Sequence, residues 1–266
     1  MKNHNTRIMR LRRKMSNVWL FKSGEKSDMH YTNTLTQSGF SPVNIPVLCF
    51  QFCNQGPLKT SLQNPQDYSG IIFTSQRAVE AVAEVYLNLA VRCHASWDEK
   101  KIFVVGEATG KAVQNLLKLT CIGQESGNAQ QLIPIIIRET KAFDKPLLYP
   151  CGNLGKDELP RLLVNYDRDF KALTIYETSQ HAQLKYTIQK LINAGQKPTY
   201  MVFFSPSGVN FALPILQSLN VDVTGIKIIA IGPTTNTALV QQNIPVSGVC
   251  PTPTPEGLIH ILKSPL

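Results

Sequence analysis

The sequence predicts an internally duplicated α/β protein, with parallel sheets covered by helices on both faces. Three observations predict it. The stretches "IIFTSQRAVEAV" (71–82) and "VFFSPSGVNFAL" (202–213) write one phrase twice: a short apolar strand, a hydroxyl residue suited to capping a helix, then apolar residues at helical spacing. Short apolar strands alternate with amphipathic helical stretches along the chain, which is the pattern of parallel sheets with helical crossovers. Further segments recur in the same order at nearly one offset.

Taken in chain order, "NVWLF" (17–21) is the first strand, and the folded protein is expected to begin at about Met15, just before it. "VWLFKSG" (18–24) resembles "PLLYPCG" (146–152), placing Gly24 over Gly152. Each leads toward another short strand, "NIPVLCF" (44–50) after the first and "ALTIYET" (172–178) after the second. Phe73, Ser75, Ala78 and Val79 correspond to Phe203, Ser205, Gly208 and Val209, an offset of 130. "FVVGEATGKAV" (103–113) matches "IAIGPTTNTAL" (229–239), pairing Gly106, Thr109 and Ala112 with Gly232, Thr235 and Ala238 at an offset of 126. These read as strand 102–105 with helix 108–117, and strand 228–231 with helix 235–242, Thr235 capping the latter. "NAQQLIPII" (128–136) matches "TPEGLIHIL" (254–262), with Leu132 over Leu258. The order is a, b, a′, b′, so the chain carries a duplication.

A chain of 266 residues has room for one large domain or two of ordinary size. With 43% hydrophobic residues and a mean hydropathy of −0.08, it has a globular composition. Apolar runs such as "LIPIII" (132–137) fall far short of the ~20 residues of a membrane span, and no secretory core follows the basic N-terminus. No membrane partner is expected. The six cysteines lack CxxC spacing, so free thiols in a reducing compartment, the cytosol, are expected. Of the net charge of +9, most is a tail: residues 1–16 hold Lys2, Arg7, Arg10, Arg12, Arg13 and Lys14 and no acid. That extension is Arg-rich, as transit peptides are, but lacks their serine, and a floppy extension is favoured over a targeting segment. The remainder shows no basic face interleaved with aromatics, so nucleic acid is not an expected partner.

In parallel sheets ligands bind beyond the carboxyl ends of the strands, where loops enter helix N-termini. The loops "TSQ", "GEAT", "YPCGN", "SPSG", "GPTT" and "TPEG" all sit there and offer backbone N–H groups and hydroxyls at positive helix ends, which favour anions. The repeat suggests two such rims facing one another. Each Ser or Thr also has the plainer role of a helix cap, and Gly106 and Gly232 that of turn glycines. "GEATGK" (106–111) lacks phosphate-loop spacing, no GxGxxG follows a strand, the five histidines form no paired ligand motif, and no GxSxG elbow occurs. A nucleotide-dependent α/β enzyme is thereby disfavoured.

"FTSQRAVEA", "VVGEAT", "PCGNLGKDEL", "FFSPSGV", "IGPTT" and "PTPEGL", in this order and spacing, resemble the uroporphyrinogen-III synthase family from about Asn17 to the C-terminus. The resemblance implies two doubly wound α/β domains of similar size joined by a two-stranded linker. Domain one would be 17–48 with 179–266, domain two 54–172, the linkers 49–53 and 173–178, and residues 1–16 the basic extension. It implies cyclisation of hydroxymethylbilane, a linear tetrapyrrole with eight carboxylates, to uroporphyrinogen III. The terminal hydroxyl leaves to give an azafulvene, and the ring closes with inversion of ring D through a spiro intermediate. No cofactor and no metal are implied. Tyr176 matches the family tyrosine proposed as proton donor to the departing hydroxyl. Its plainer role is a strand tyrosine with its ring packed and its hydroxyl in water. The implied substrate-binding residues are Ser75, Arg77, Gly106, Thr109, Gly152, Asn153, Lys156, Ser205, Ser207, Gly208, Pro233, Thr234 and Thr235. Lys156 stands where relatives commonly carry Arg, and Gln76 where many have Pro. The expected partner is a small-molecule substrate and the expected state a monomer. The alternative is a non-catalytic two-domain protein that binds a polyanionic small molecule.

Overall fold

The computed structural model describes residues 15–23, 28–155 and 158–264, so the basic tail, Gly24 and Lys156 lie outside the described residues. The chain divides into two compact units. One runs to Cys49 and resumes at Ser179; the other is Phe50–Thr178. In chain order the first unit opens with β1 (Ser16–Lys22), α1 (Asp28–Gln37) and β2 (Phe40–Pro46), and β3 (Leu48–Phe52) carries the chain across. The second unit continues with α2 (Gln55–Gln63), β4 (Gly70–Phe73), α3 (Gln76–Tyr86), α4 (Val91–Asp98), β5 (Lys101–Val104) and α5 (Glu107–Ala112). It is completed by α6 (Ala129–Glu139), β6 (Leu147–Gly152) and α7 (Glu158–Asn165), and β7 (Phe170–Gln180) brings the chain back. The first unit then adds α8 (Leu184–Asn193), β8 (Tyr200–Phe203), α9 (Pro206–Ser218), β9 (Lys227–Ala230), α10 (Pro233–Gln241), β10 (Gly248–Val249) and α11 (Pro255–Lys263).

The first sheet has the order β10-β9-β8-β1-β2, and its strand pairs are parallel. The second has the order β3-β7-β6-β4-β5, parallel from β7 through β5. The series β9, β8, β1, β2 therefore corresponds in space to β5, β4, β6, β7. Register repeats as well as order. Gly70 pairs Lys101 in one sheet where Tyr200 pairs Lys227 in the other, and the bridge Phe103–Ile122 stands where Ile229 pairs Gly248. These pairs reproduce the offsets of 130 and 126 in the sequence, so the duplicated segments occupy equivalent strands.

Both faces of each sheet are covered, which is why the strands read as continuous apolar runs. In the second unit Ile71 and Phe73 point into a core with Val79, Val82, Leu148 and Ile175, while Ile72 faces Phe103, Leu132, Ile136 and Leu147. In the first, Val18, Leu20, Val202 and Ile229 pack with Leu258 and Leu262. There Phe21 stacks on Phe203 with ring centroids 4.7 Å apart.

Two local expectations change. The stretch "NIPVLCF" is not one strand but the end of β2 and the start of β3, broken at Val47. Pro46 has no N–H to extend the ladder. The N–H of Val47 still donates to Lys22 O (2.9 Å), and Leu48 begins a strand in the other sheet. Thr235 does not cap α10. The cap position is Gly232, and Thr235 lies three residues on, 1% exposed.

Candidate active site

The strands β4, β5 and β6 of the second unit end at one edge of their sheet, and each is followed by a helix. At β4 the chain turns through Thr74 and Ser75 into α3. Ser75 is the N-cap: its Oγ accepts the N–H of Ala78 at 3.1 Å, so one of the unpaired donors of the first turn is satisfied locally. At β5 the turn passes through Gly106, whose φ of +80° is a conformation other residues rarely adopt. Thr109 is 5% exposed, turned into the fold as its counterpart Thr235 is.

Tyr176 is brought to this rim by β7. Its hydroxyl lies 3.1 Å from Ser75 Oγ, and its ring meets Phe50 edge to face at 6.4 Å between centroids. The register of β6 against β7 slips at this point: Cys151 pairs Thr174, yet Gly152 pairs Tyr176, leaving Ile175 as a bulge residue. Bulges re-aim side chains, and this one sets the Tyr176 ring beside the one residue of β6 that has no side chain. A Cβ on Gly152 would fall against the ring, at 2.5 Å from Cε2 and 2.8 Å from the hydroxyl oxygen. Asn153 then ties the strands together. Its Oδ1 accepts the N–H of Thr178 (2.8 Å), its Nδ2 donates to Thr178 O (3.3 Å), and its own N–H donates to Tyr176 O (3.2 Å). Asn153 thus holds β7 while remaining exposed at the rim.

Arg77, in the first turn of α3, lies with its guanidinium carbon 4.2 Å from the centroid of Phe50 and its Nη1 2.6 Å from Glu80 Oε2. The series Arg77, Phe50, Tyr176 places a cation one ring away from the phenol. On the other side of the sheet a cavity of about 290 Å³ is bounded by Thr74, Val105, Asn128, Tyr149, Gly155 and Glu158. The Tyr149 hydroxyl lies 3.4 Å from Thr74 Oγ1. Burial pushes the Tyr149 phenol above its usual pKa, an effect the hydrogen bond to Thr74 reduces.

The first unit has its own rim at the ends of β1, β8, β9 and β10. Ser205 Oγ accepts the N–H of Gly208 (3.0 Å) and Thr254 Oγ1 that of Gly257 (3.1 Å). Ser207 is half-buried in the first turn of α9, and Pro233 and Thr234 are exposed in the first turn of α10. Sequence reasoning missed Lys22, whose Nζ sits 4.7 Å from the Tyr31 centroid and 5.3 Å from that of Phe204. It missed Phe50 and Tyr149 as well. Lys22 could have been found, as the only charge in the phrase "VWLFKSG"; the aromatic seats could not, because they come from distant segments. Among the described residues no group of three His, Cys, Asp or Glu could hold a metal ion, and no helix is long and apolar enough to cross a membrane.

A family model described as uroporphyrinogen-III synthase HemD matches residues 30–260. The chain is 27% identical over 253 residues to the uroporphyrinogen-III synthase of Schizosaccharomyces pombe, covering 92% of this chain and 95% of that protein. It is 24% identical over 269 residues to that of Saccharomyces cerevisiae, covering 94% and 97%. Among solved structures it resembles a mutant uroporphyrinogen III synthase of Thermus thermophilus, with a TM-score of 0.64 at 14% identity over 93% of this chain and 99% of that one. It also resembles the synthetase of Helicobacter pylori, with a TM-score of 0.62 at 17% identity over 93% and 98%. These two structural likenesses concern the fold.

Proposed function

The chain belongs to the uroporphyrinogen-III synthase family, and we propose that Tyr176 is the group that protonates the departing hydroxyl of its substrate. The reaction is cyclisation of hydroxymethylbilane to uroporphyrinogen III with loss of water and inversion of ring D, in heme biosynthesis. Membership of an enzyme family removes the alternative of a binding protein without chemistry.

The observation that carries the proposal is the setting of Tyr176. Its ring is fixed by Phe50 and by the space over Gly152, and its hydroxyl is held at the mouth of α3 by Ser75. A phenolic O–H is a donor that can pass its proton to an oxygen within reach. Proton delivery lets the C–O bond break with its electron pair leaving on water, while the pyrrole nitrogen supplies the pair that forms the azafulvene. Positioning then does most of the remaining work, because the bound chain must close in the inverted sense. First-turn N–H groups and hydroxyls at such strand ends suit the substrate's carboxylates. Arg77 and Lys156 are the candidate carboxylate partners from the second unit's sequence, and Ser205, Ser207, Gly208, Pro233 and Thr234 those from the first. On this reading Thr109 and Thr235, both buried, shape the helix starts from beneath. The protein works as a cytosolic monomer on a small molecule, with nucleic acid no part of its action.

The test is Tyr176→Phe, which keeps the ring and removes the hydroxyl. General acids contribute about 10²–10⁴ in rate, and this substrate also loses its hydroxyl unaided. We expect turnover to fall at least about tenfold while the thermal midpoint is little changed and the residual product stays enriched in the type III isomer. Nearly full turnover in the variant would show that Tyr176 is packing alone.

A further inference from the structure

Ser75 caps α3, and a cap alone would account for a serine at that position. Its second contact, to Tyr176 across 101 residues of sequence, is one that capping does not need. A serine hydroxyl has one proton and two lone pairs, and a phenol likewise has one proton. One lone pair of Ser75 takes the Ala78 N–H. The 3.1 Å contact to Tyr176 can then run either way. If Tyr176 donates to Ser75, its one proton is already engaged and is not available to the departing hydroxyl. If Ser75 donates to Tyr176, the phenol proton is free to point at the departing hydroxyl.

We infer that the second arrangement is the reacting one: Ser75 is a positioning residue that donates its hydroxyl proton to Tyr176 Oη and so couples the positive N-terminus of α3 to the phenolate formed on proton transfer. The inference rests on the reading of Tyr176 as proton donor. As Tyr176 Oη–H gives its proton to the leaving oxygen, the C–O bond breaks, water departs and the pyrrole nitrogen becomes an azafulvenium. The negative charge left on Oη is met by the Ser75 O–H, which the Ala78 N–H polarises in turn. Oη then regains a proton from the pyrrole N–H, leaving the neutral azafulvene and a restored phenol. α3 is eleven residues long, so its end carries a developed dipole. The Tyr176 ring lies close over Gly152 and edge to face with Phe50, a setting in which the two oxygens are 3.1 Å apart. The Ser75 hydroxyl thus lies within hydrogen-bond reach of the phenol as well as of the helix N–H it caps.

The experiment compares Ser75→Gly, Ser75→Thr, Tyr176→Phe and the double variant Ser75→Gly/Tyr176→Phe in the full chain. Each is assayed for kcat, KM and isomer ratio with hydroxymethylbilane, and for thermal midpoint. Glycine is a tolerated N-cap, so Ser75→Gly removes the hydroxyl at little cost to the helix. Losing one donor to a developing negative charge should lower kcat about tenfold to a hundredfold, with KM within about twofold of the parent. Ser75→Thr, which keeps a hydroxyl, should restore most of kcat. In the Tyr176→Phe background Ser75→Gly should lower kcat no further. A parental kcat for Ser75→Gly, a loss confined to KM, or an equal loss in both backgrounds would each overturn the inference and return Ser75 to a cap or a substrate contact. A Tyr176→Phe enzyme at full turnover would overturn the reading beneath it, a result separable from the other three.

Discussion

Gly152→Ala offers a test that depends on tertiary packing alone. The new Cβ would lie against the Tyr176 ring, 2.5 Å from Cε2 and 2.8 Å from the hydroxyl oxygen, with Cζ nearer still. Non-bonded carbons rest at about 3.5–4.0 Å, so ring and methyl must separate by about 1 Å. The backbone cannot supply that movement easily, because Gly152 is paired with Tyr176 and Asn153 is hydrogen-bonded to Tyr176 and Thr178. The ring must therefore move, and its hydroxyl leaves Ser75. Overpacking of this kind costs about 1–3 kcal/mol, which should lower the thermal midpoint by several degrees. A misplacement of about 1 Å at a reacting group costs about 10²-fold in rate, so turnover should fall to near the level of Tyr176→Phe. The assay is isomer-resolved turnover alongside thermal denaturation. In a Tyr176→Ala background the added methyl meets no ring, and Gly152→Ala should there cost little stability, a non-additivity that a double-mutant cycle measures. Parental turnover for Gly152→Ala, or an equal stability loss in both backgrounds, would refute the argument.

Asn153→Ala removes the two side-chain hydrogen bonds that hold Thr178; we expect stability to fall by about 1 kcal/mol and kcat to fall with KM nearly unchanged, measured by steady-state kinetics, whereas a pure rise in KM would make Asn153 a substrate contact. Stability should also fall in alkali. Burial raises the Cys250 thiol from 9.0 to about 11, and burial, with the nearby Cys250 and Glu256, raises the Tyr31 phenol from 10.0 to about 12. The unfolded chain releases these protons at the ordinary values while the folded one retains them, so their contribution is whole below about pH 9 and is lost as pH rises toward 11 and 12. Cys250→Ala should flatten the decline of the denaturation midpoint between those limits, and an unchanged slope would disprove the assignment.

Features that rest on contacts within a few residues, or on repetition, are legible in the amino-acid sequence without the fold. The caps at Ser75, Asn128, Ser205 and Thr254 each accept an N–H three residues on, and such bonds follow from local spacing. The offsets of 130 and 126 specify equivalent strands, because equivalent segments take equivalent places in their sheets and their registers coincide. The doubly wound class follows from apolar runs short enough for strands, alternating with helices. Other features exist only once the chain has folded. Thr235 was legible as a rim residue, but the orientation of α10 against its sheet turns that side chain inward, and no local rule sets that orientation. The break at Val47 depends on β3 pairing in a different sheet from β2. The site around Tyr176 depends most on distance along the chain: a bulge of β7 against β6 sets the ring over Gly152, and Ser75 and Phe50 reach it from two other segments. Single positions in the sequence carry the residue types for that cluster, while their meeting is a property of strand register, which is settled only when the whole sheet closes over its core.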